Sequence, residues 1–184
     1  MANGAVKAVS GNSLVKYSLI QPANIVIDFG CAPGGWLQVA SEKVGNNGLV
    51  LGIDFLKVIP PSKNTKTILA DVNQSNLINL ILKETQGKSN IILSDLSPKV
   101  SGIWELDSGR QIDLTMRVVS YLPEILLPSG SVILKAFDGE MFTSLYKCIQ
   151  GYFNQVHLVK PPASRKQSSE IYIVGLKYLG KKNT

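Results

Sequence analysis

The residues of this 184-residue chain best suited to chemistry are four acids and a lysine that close apolar runs. Residues 25–27 run into Asp28, 49–53 into Asp54, 67–70 into Asp71 and 91–94 into Asp95, and the run 131–135 ends on Lys135. Any one of these would pass as an ordinary polar residue at the start of a loop. Five in succession read as a site, because parallel sheets bind ligands outside the carboxyl ends of their strands. Asp54 stands at the spacing from Gly30 at which an acid accepts bonds from both hydroxyls of a ribose. Asp71 is placed to accept from an adenine amino group. The turn after the first run is Gly30-Cys-Ala-Pro-Gly-Gly35, whose glycines let backbone approach a ligand closely. It is not the Gly-x-Gly-x-x-Gly of dinucleotide sites, so a nucleoside ligand without a pyrophosphate is favoured. Asp28, just before the turn, suits a cationic or zwitterionic ligand better than a phosphate.

The elements that must position these residues follow from periodicity and breakers. A buried strand at 25–27, the glycine turn and a helix over about 36–44 form the first unit of a nucleotide-binding sheet. Strands are expected at 49–53, 67–70, 91–94, 131–135, 154–159 and 170–176, and helices at 76–85, 111–126 and 140–151. Residues 97–110 read as irregular, with Pro98, Gly102, Trp104 and Gly109, and Pro128-Ser-Gly130 reads as a turn. A short helix over 13–20 would carry Lys16, and 161–169 reads as a polar loop with Arg165 and Lys166. Strand–helix alternation without a repeat or linker predicts one α/β domain over 1–184, a doubly wound, mostly parallel sheet, with 1–12 and 180–184 flexible.

Bulk properties narrow the function. A hydrophobic content of 45% argues against general disorder, and no apolar run is long enough to span a membrane. Cys31 and Cys148 lack metal-ligand spacing and point to a reducing, cytoplasmic setting. One histidine, His157, leaves no histidine-rich metal site and no Ser-His-Asp triad, and no metal is expected. The net charge of +6 suits a nucleic-acid partner and equally a lysine-coated soluble enzyme.

Four motifs, in order, resemble the FtsJ family: Asp28-Phe-Gly-Cys-Ala-Pro-Gly-Gly-Trp36, Leu93-Ser-Asp-Leu-Ser-Pro98, Ile133-Leu-Lys-Ala-Phe137, and Ser164-Arg followed by Ser168-Ser-Glu-Ile-Tyr-Ile-Val174. The resemblance spans about residues 13–178. It implies S-adenosylmethionine-dependent RNA ribose 2′-O-methylation on a Rossmann-like sheet of seven strands, the last antiparallel. The implied substrate is a uridine of large-subunit ribosomal RNA, as the free RNA or the ribosomal subunit, with transfer RNA and a non-catalytic binding role as alternatives; a monomer is expected. Implied at the cofactor are Gly34, Trp36, Asp54, Asp71 and Asp95. Asp28, Gly30, Pro33, Gly35, Phe55 and Val72 join them as candidates.

The resemblance also implies a Lys-Asp-Lys-Glu tetrad. Asp95, Lys135 and Glu170 match it directly, and Lys16 best matches the first lysine, although the segment from Lys16 to the first strand is shorter than the family's. Lys135 either accepts the proton of the ribose hydroxyl or stays charged and positions the ribose. Lys99, Arg110, Arg165, Lys166 and Lys177 are candidate phosphate contacts, and Trp104 is able to stack on a base or to cover the loop. Cys31 reads as a packing residue rather than a nucleophile.

Overall fold

The structure, a computed structural model, describes residues 19–160 and 169–180. Most of the expected helix over 13–20, its Lys16, and the loop residues Arg165 and Lys166 lie outside the described residues. Seven strands form one sheet: β1 (Ile25–Phe29), β2 (Leu49–Asp54), β3 (Thr65–Leu69), β4 (Ser89–Ser94), β5 (Leu126–Phe137), β6 (Phe153–Val159) and β7 (Glu170–Tyr178). Their order is β3-β2-β1-β4-β5-β7-β6. The first five are parallel, and β7 runs antiparallel to both β5 and β6. The described helices are α1 (Gly35–Val44), α2 (Leu77–Thr85), α3 (Trp104–Ile125) and α4 (Phe142–Gln150).

The central strands read as near-continuous apolar runs because both faces of the sheet are covered. On one face, Ile27, Phe29, Leu51, Ile92 and Leu134 pack with Leu77 and Ile81 of α2, Val118 and Leu122 of α3, and Leu145 and Ile149 of α4. On the other, Val26, Val50, Leu93, Ile133 and Val174 pack with Trp36, Leu37, Ala40 and Val44 of α1. The alternation along β1 therefore places Asp28 on the α1 face, beside Val26. No helix among the described residues is long and apolar enough to cross a membrane.

Most boundaries differ from the sequence reading by a few residues, and three of the differences bear on the site. The long helix begins at Trp104, seven residues before its expected start at Gln111. The carboxylate of Asp107 accepts from the backbone N–H groups of Ser101 and Gly102 and from the Ser101 hydroxyl, which ties the segment ahead of the helix to its first turn. Pro128-Ser-Gly130 is not a turn ahead of the fifth strand but an irregularity inside it: β5 starts at Leu126, its register against β4 shifts between Ser89 and Ile91, and Ser129 has φ 65°. Strand β3 ends at Leu69, opposite Asp54 at the end of β2, so Asp71 follows the strand by two residues.

Candidate active site

The four acids and Lys135 lie toward one end of the sheet but not at identical positions. Asp54 is the last residue of β2, Asp95 follows β4 directly, and Asp28 and Lys135 lie inside β1 and β5. Between β1 and α1 the chain is pinned from three sides. The N–H groups of Gly30 and Cys31 donate to the Ile53 carbonyl at 2.8 and 3.3 Å, Ala32 N–H donates to Asp54 Oδ2 at 2.9 Å, and Gly34 N–H donates to the Cys31 carbonyl at 2.7 Å. Gly30 has φ +77°, and a Cβ there would come within 2.8 Å of the Leu96 backbone nitrogen. Only glycine allows this turn to close against the end of β4.

Two of the cavities at this end meet at Asp95 and Leu96. The larger, about 540 Å³, is lined by Phe29, Ile53, Phe55, Ala70, Val72, Leu96, Pro98 and Leu114, with Asp54, Asp71, Asn73, Ser97 and Lys99 as its polar members. The smaller, about 110 Å³, is lined by Gly30, Cys31, Ala32, Pro33, Gly35, Trp36, Asp95, Lys135, Glu170 and Tyr172. Adjacent residues Asp95 and Leu96 face the small and the large cavity respectively.

The cofactor candidates thus divide. Asp54, Phe55, Asp71 and Val72 line the large cavity, whereas Gly30, Pro33, Gly35, Trp36 and Asp95 line the small one. Asp28 and Gly34 line neither. Asp28 is fully buried and neither carboxylate oxygen has a hydrogen-bond partner. Burial, and after it the charges of Asp95 and Asp54, push its carboxyl well above the usual carboxylate range. Asp54 already accepts from two backbone amides, Ala32 at Oδ2 and Leu56 at Oδ1, so it holds the loops after β1 and β2 together. Each oxygen keeps a lone pair for a ligand. Asp71 accepts from Asn73 N–H at 2.7 Å.

Around the small cavity the contacts converge on Asp95. Lys135 Nζ lies 3.2 Å from Asp95 Oδ1 and donates to the Asp95 carbonyl at 2.9 Å, with the lysine side chain only 6% exposed. The Tyr172 hydroxyl donates to Asp95 Oδ1 at 3.0 Å. Burial, then Asp95 and Glu170, hold the Tyr172 phenol far above its ordinary range, so it remains a donor. The Tyr172 ring packs on Trp36 with centroids 5.9 Å apart. The backbone at Lys135 is clamped from α3, where Thr115 Oγ1 and Gln111 Nε2 donate to the Lys135 carbonyl at 2.8 and 3.1 Å.

Tyr172, Gln111 and Thr115 escaped the sequence reading. Tyr172 had a signal, its position two residues after Glu170 on a strand where alternate residues share a face. Of the basic candidates, Lys99 borders the large cavity and Arg110 a neighbouring one of about 610 Å³. Lys177 lies near the far end of β7, away from the site.

Comparison with known proteins gives the family and the fold. The model of FtsJ-like methyltransferases matches residues 4–178. The chain belongs to the FtsJ-like methyltransferase family. Proteins named ribosomal RNA large subunit methyltransferase E are similar to it at 38% identity in Methanococcus aeolicus, 39% in Methanocaldococcus jannaschii and 40% in Methanobrevibacter smithii. Each match covers 91% of this chain, which spans 62%, 70% and 80% of those relatives' lengths. Among solved structures, a Plasmodium falciparum protein provisionally described as a ribosomal RNA methyltransferase superposes with TM-score 0.82 at 27% identity, covering 97% of this chain and 98% of its own. Aeropyrum pernix fibrillarin, solved with natively bound S-adenosyl-L-methionine, shares the fold at TM-score 0.68 and 13% identity, over 95% of this chain and 76% of its own. The Rossmann-like methyltransferase sheet, with its single reversed strand, is the architecture expected from the sequence.

Proposed function

We propose that this methyltransferase uses S-adenosylmethionine to methylate a ribose 2′-hydroxyl of RNA, with a uridine of large-subunit ribosomal RNA as the target. The observation that carries this reading is the pairing of the two cavities. A largely apolar chamber rimmed by carboxylates adjoins a small polar recess that holds one buried, doubly anchored lysine.

The large cavity fits the cofactor by its chemistry. Its apolar walls suit an adenine ring, and the carboxylates of Asp54 and Asp71 suit ribose hydroxyls and an exocyclic amine. Lys99 is its single basic residue, which ill suits a pyrophosphate. S-adenosylmethionine, when bound, supplies a methyl group activated by a positively charged sulfur. Everything else falls to the chain.

A ribose hydroxyl is a weak nucleophile and must shed its proton as its oxygen takes the methyl. Lys135 donates to the Asp95 carbonyl and forms an ion pair with its carboxylate at 3.2 Å. What remains at Nζ faces the small cavity: a lone pair that accepts the hydroxyl proton if the amine is neutral, or a third hydrogen that holds the ribose oxygen if it is charged. Asp95, fixed in turn by Tyr172, sets the direction of Nζ. Glu170 lines the same recess and would orient the hydroxyl. Lys16 is proposed as the remaining member of the catalytic group on the family resemblance.

Transfer of labelled methyl to large-subunit ribosomal RNA, followed by alkaline hydrolysis, tests this. A ribose 2′-O-methyl leaves an alkali-resistant dinucleotide, and Lys135→Ala should lower the rate by about 10²- to 10⁴-fold. Methyl found on a base, or full activity in Lys135→Ala, would refute the assignment. Calorimetry should show binding of S-adenosylmethionine in preference to NAD and ATP.

A further inference from the structure

An aromatic pair stands beside the recess and lines neither it nor the large cavity. The rings of Trp104 and Phe137 stack with centroids 5.6 Å apart and planes inclined by 25°. Phe137 covers one face of the indole, yet Trp104 remains 42% exposed.

The indole is held in place from several directions. Trp104 is the first residue of α3, and the segment before it is fixed by the bonds from Ser101 and Gly102 to Asp107. A Cβ on Gly139 would lie 3.0 Å from Ser108 and 4.0 Å from Trp104 Cζ2, so the backbone after β5 lies flat against the first turn of α3. Asp138 N–H donates to the Ser169 carbonyl, which ties that backbone to the start of β7.

The pair is also aligned with the lysine. Phe137 follows Lys135 by two residues on β5, so its side chain leaves the same face about 7 Å farther along. Its register partner on β7 is Glu170. An exposed aromatic face, rigid and backed by a second ring, therefore adjoins the place where the ribose would react.

We propose that Trp104, backed by Phe137, stacks on a nucleobase of the RNA strand beside the ribose held at Lys135. This rests on the RNA-methyltransferase reading above. Single-stranded RNA is gripped by stacking its splayed bases on aromatic side chains, and every base offers a π face. Phe137 limits rotation of the indole, so little side-chain freedom is lost when a base lands on it. The exposed cations Lys99 and Arg110, on the loop before Trp104 and on its own helix, are placed for flanking phosphates. The base would be presented edge-free, so the platform secures the strand without reading its sequence, and target choice is left to other contacts.

The test is methyl transfer to transcribed large-subunit ribosomal RNA, and to large ribosomal subunits from cells lacking the protein, with calorimetry of S-adenosylmethionine binding alongside. Trp104→Ala should raise KM for RNA by about tenfold to a hundredfold. It should leave cofactor affinity within about twofold, and Trp104→Phe should recover most of the loss. In Trp36→Phe, whose remaining indole is Trp104, saturating RNA should quench tryptophan fluorescence. An unchanged KM in Trp104→Ala, equal loss of cofactor binding in that variant, or unquenched emission would overturn the proposal. Failure of the wild-type protein to methylate any RNA would instead remove the substrate assignment, and the stacking role with it.

Discussion

Lys135 is oriented by a relay that starts at a ring and ends at an amine: Trp36 packs on Tyr172, Tyr172 donates to Asp95, and Asp95 holds Nζ. Tyr172→Phe keeps the packing and deletes the one hydroxyl. A hydrogen bond to a charged group is worth about 1.5–3 kcal/mol, so kcat should fall by about tenfold to a hundredfold while cofactor affinity holds. A matching fall in cofactor affinity would mean that Tyr172 shapes the pocket rather than the lysine. Asp28 presents the opposite case, a buried acid with no partner. Its carboxyl is raised, so the folded chain keeps a proton that the unfolded chain releases above about pH 4. Its contribution is fully present below that pH and is lost as pH rises through the folded value. Asp28→Asn should therefore match the wild type near pH 4 and gain on it toward pH 8, read as the difference in Tm by calorimetry. Cys31 is pushed up to about 12, first by burial and then by Asp28 and Asp54, so almost no thiolate is present at neutral pH. Iodoacetamide at pH 8 should label Cys148 in the folded protein and Cys31 only after unfolding.

At the scale of elements, the site depends on two close approaches. Gly30 brings the loop after β1 against Leu96, and α3 grips the Lys135 carbonyl through Thr115 and Gln111. Gly30→Ala adds a Cβ to a residue at positive φ and drives it onto backbone that cannot swing away. A destabilisation of about 1–3 kcal/mol is expected from the strain alone, with activity lost beyond what the fall in Tm explains. The sequence made much of this legible. Acids and a lysine closing apolar runs marked one end of the sheet, and the grouping of Asp95, Lys135 and Glu170 came with the family resemblance. Contacts made by residues that look apolar or structural could not: Tyr172 passes as one step of a strand alternation, and Thr115 and Gln111 as helix surface. The start of α3 was hidden because the acid that ties down the segment ahead of it, Asp107, lies inside the helix. The start of β5 was hidden because Pro128 and Gly130 signal a turn wherever they occur, and only pairing with β4 shows that the strand continues through them.

For the molecule as a whole, the charge of +6 would, on the proposed RNA substrate, serve the encounter rather than the reaction. Raising salt from 50 to 200 mM should weaken RNA binding steeply, with a log–log slope near −0.7 for each phosphate neutralised, and leave cofactor affinity nearly flat. Lys99→Ala or Arg110→Ala should each reduce that slope by about one phosphate's worth if these residues touch the backbone. A further consequence lies in the reversed direction of β7. Six strands deliver their last residues to the reactive end of the sheet, while β7 delivers its first, Glu170, and travels away for nine residues to Tyr178. That is about 30 Å of chain. Whatever is joined after Tyr178, whether an affinity handle, a surface tether or a second protein, sets out from the pole opposite Lys135. The fold thus comes with a built-in attachment point that leaves the approach of a large substrate clear.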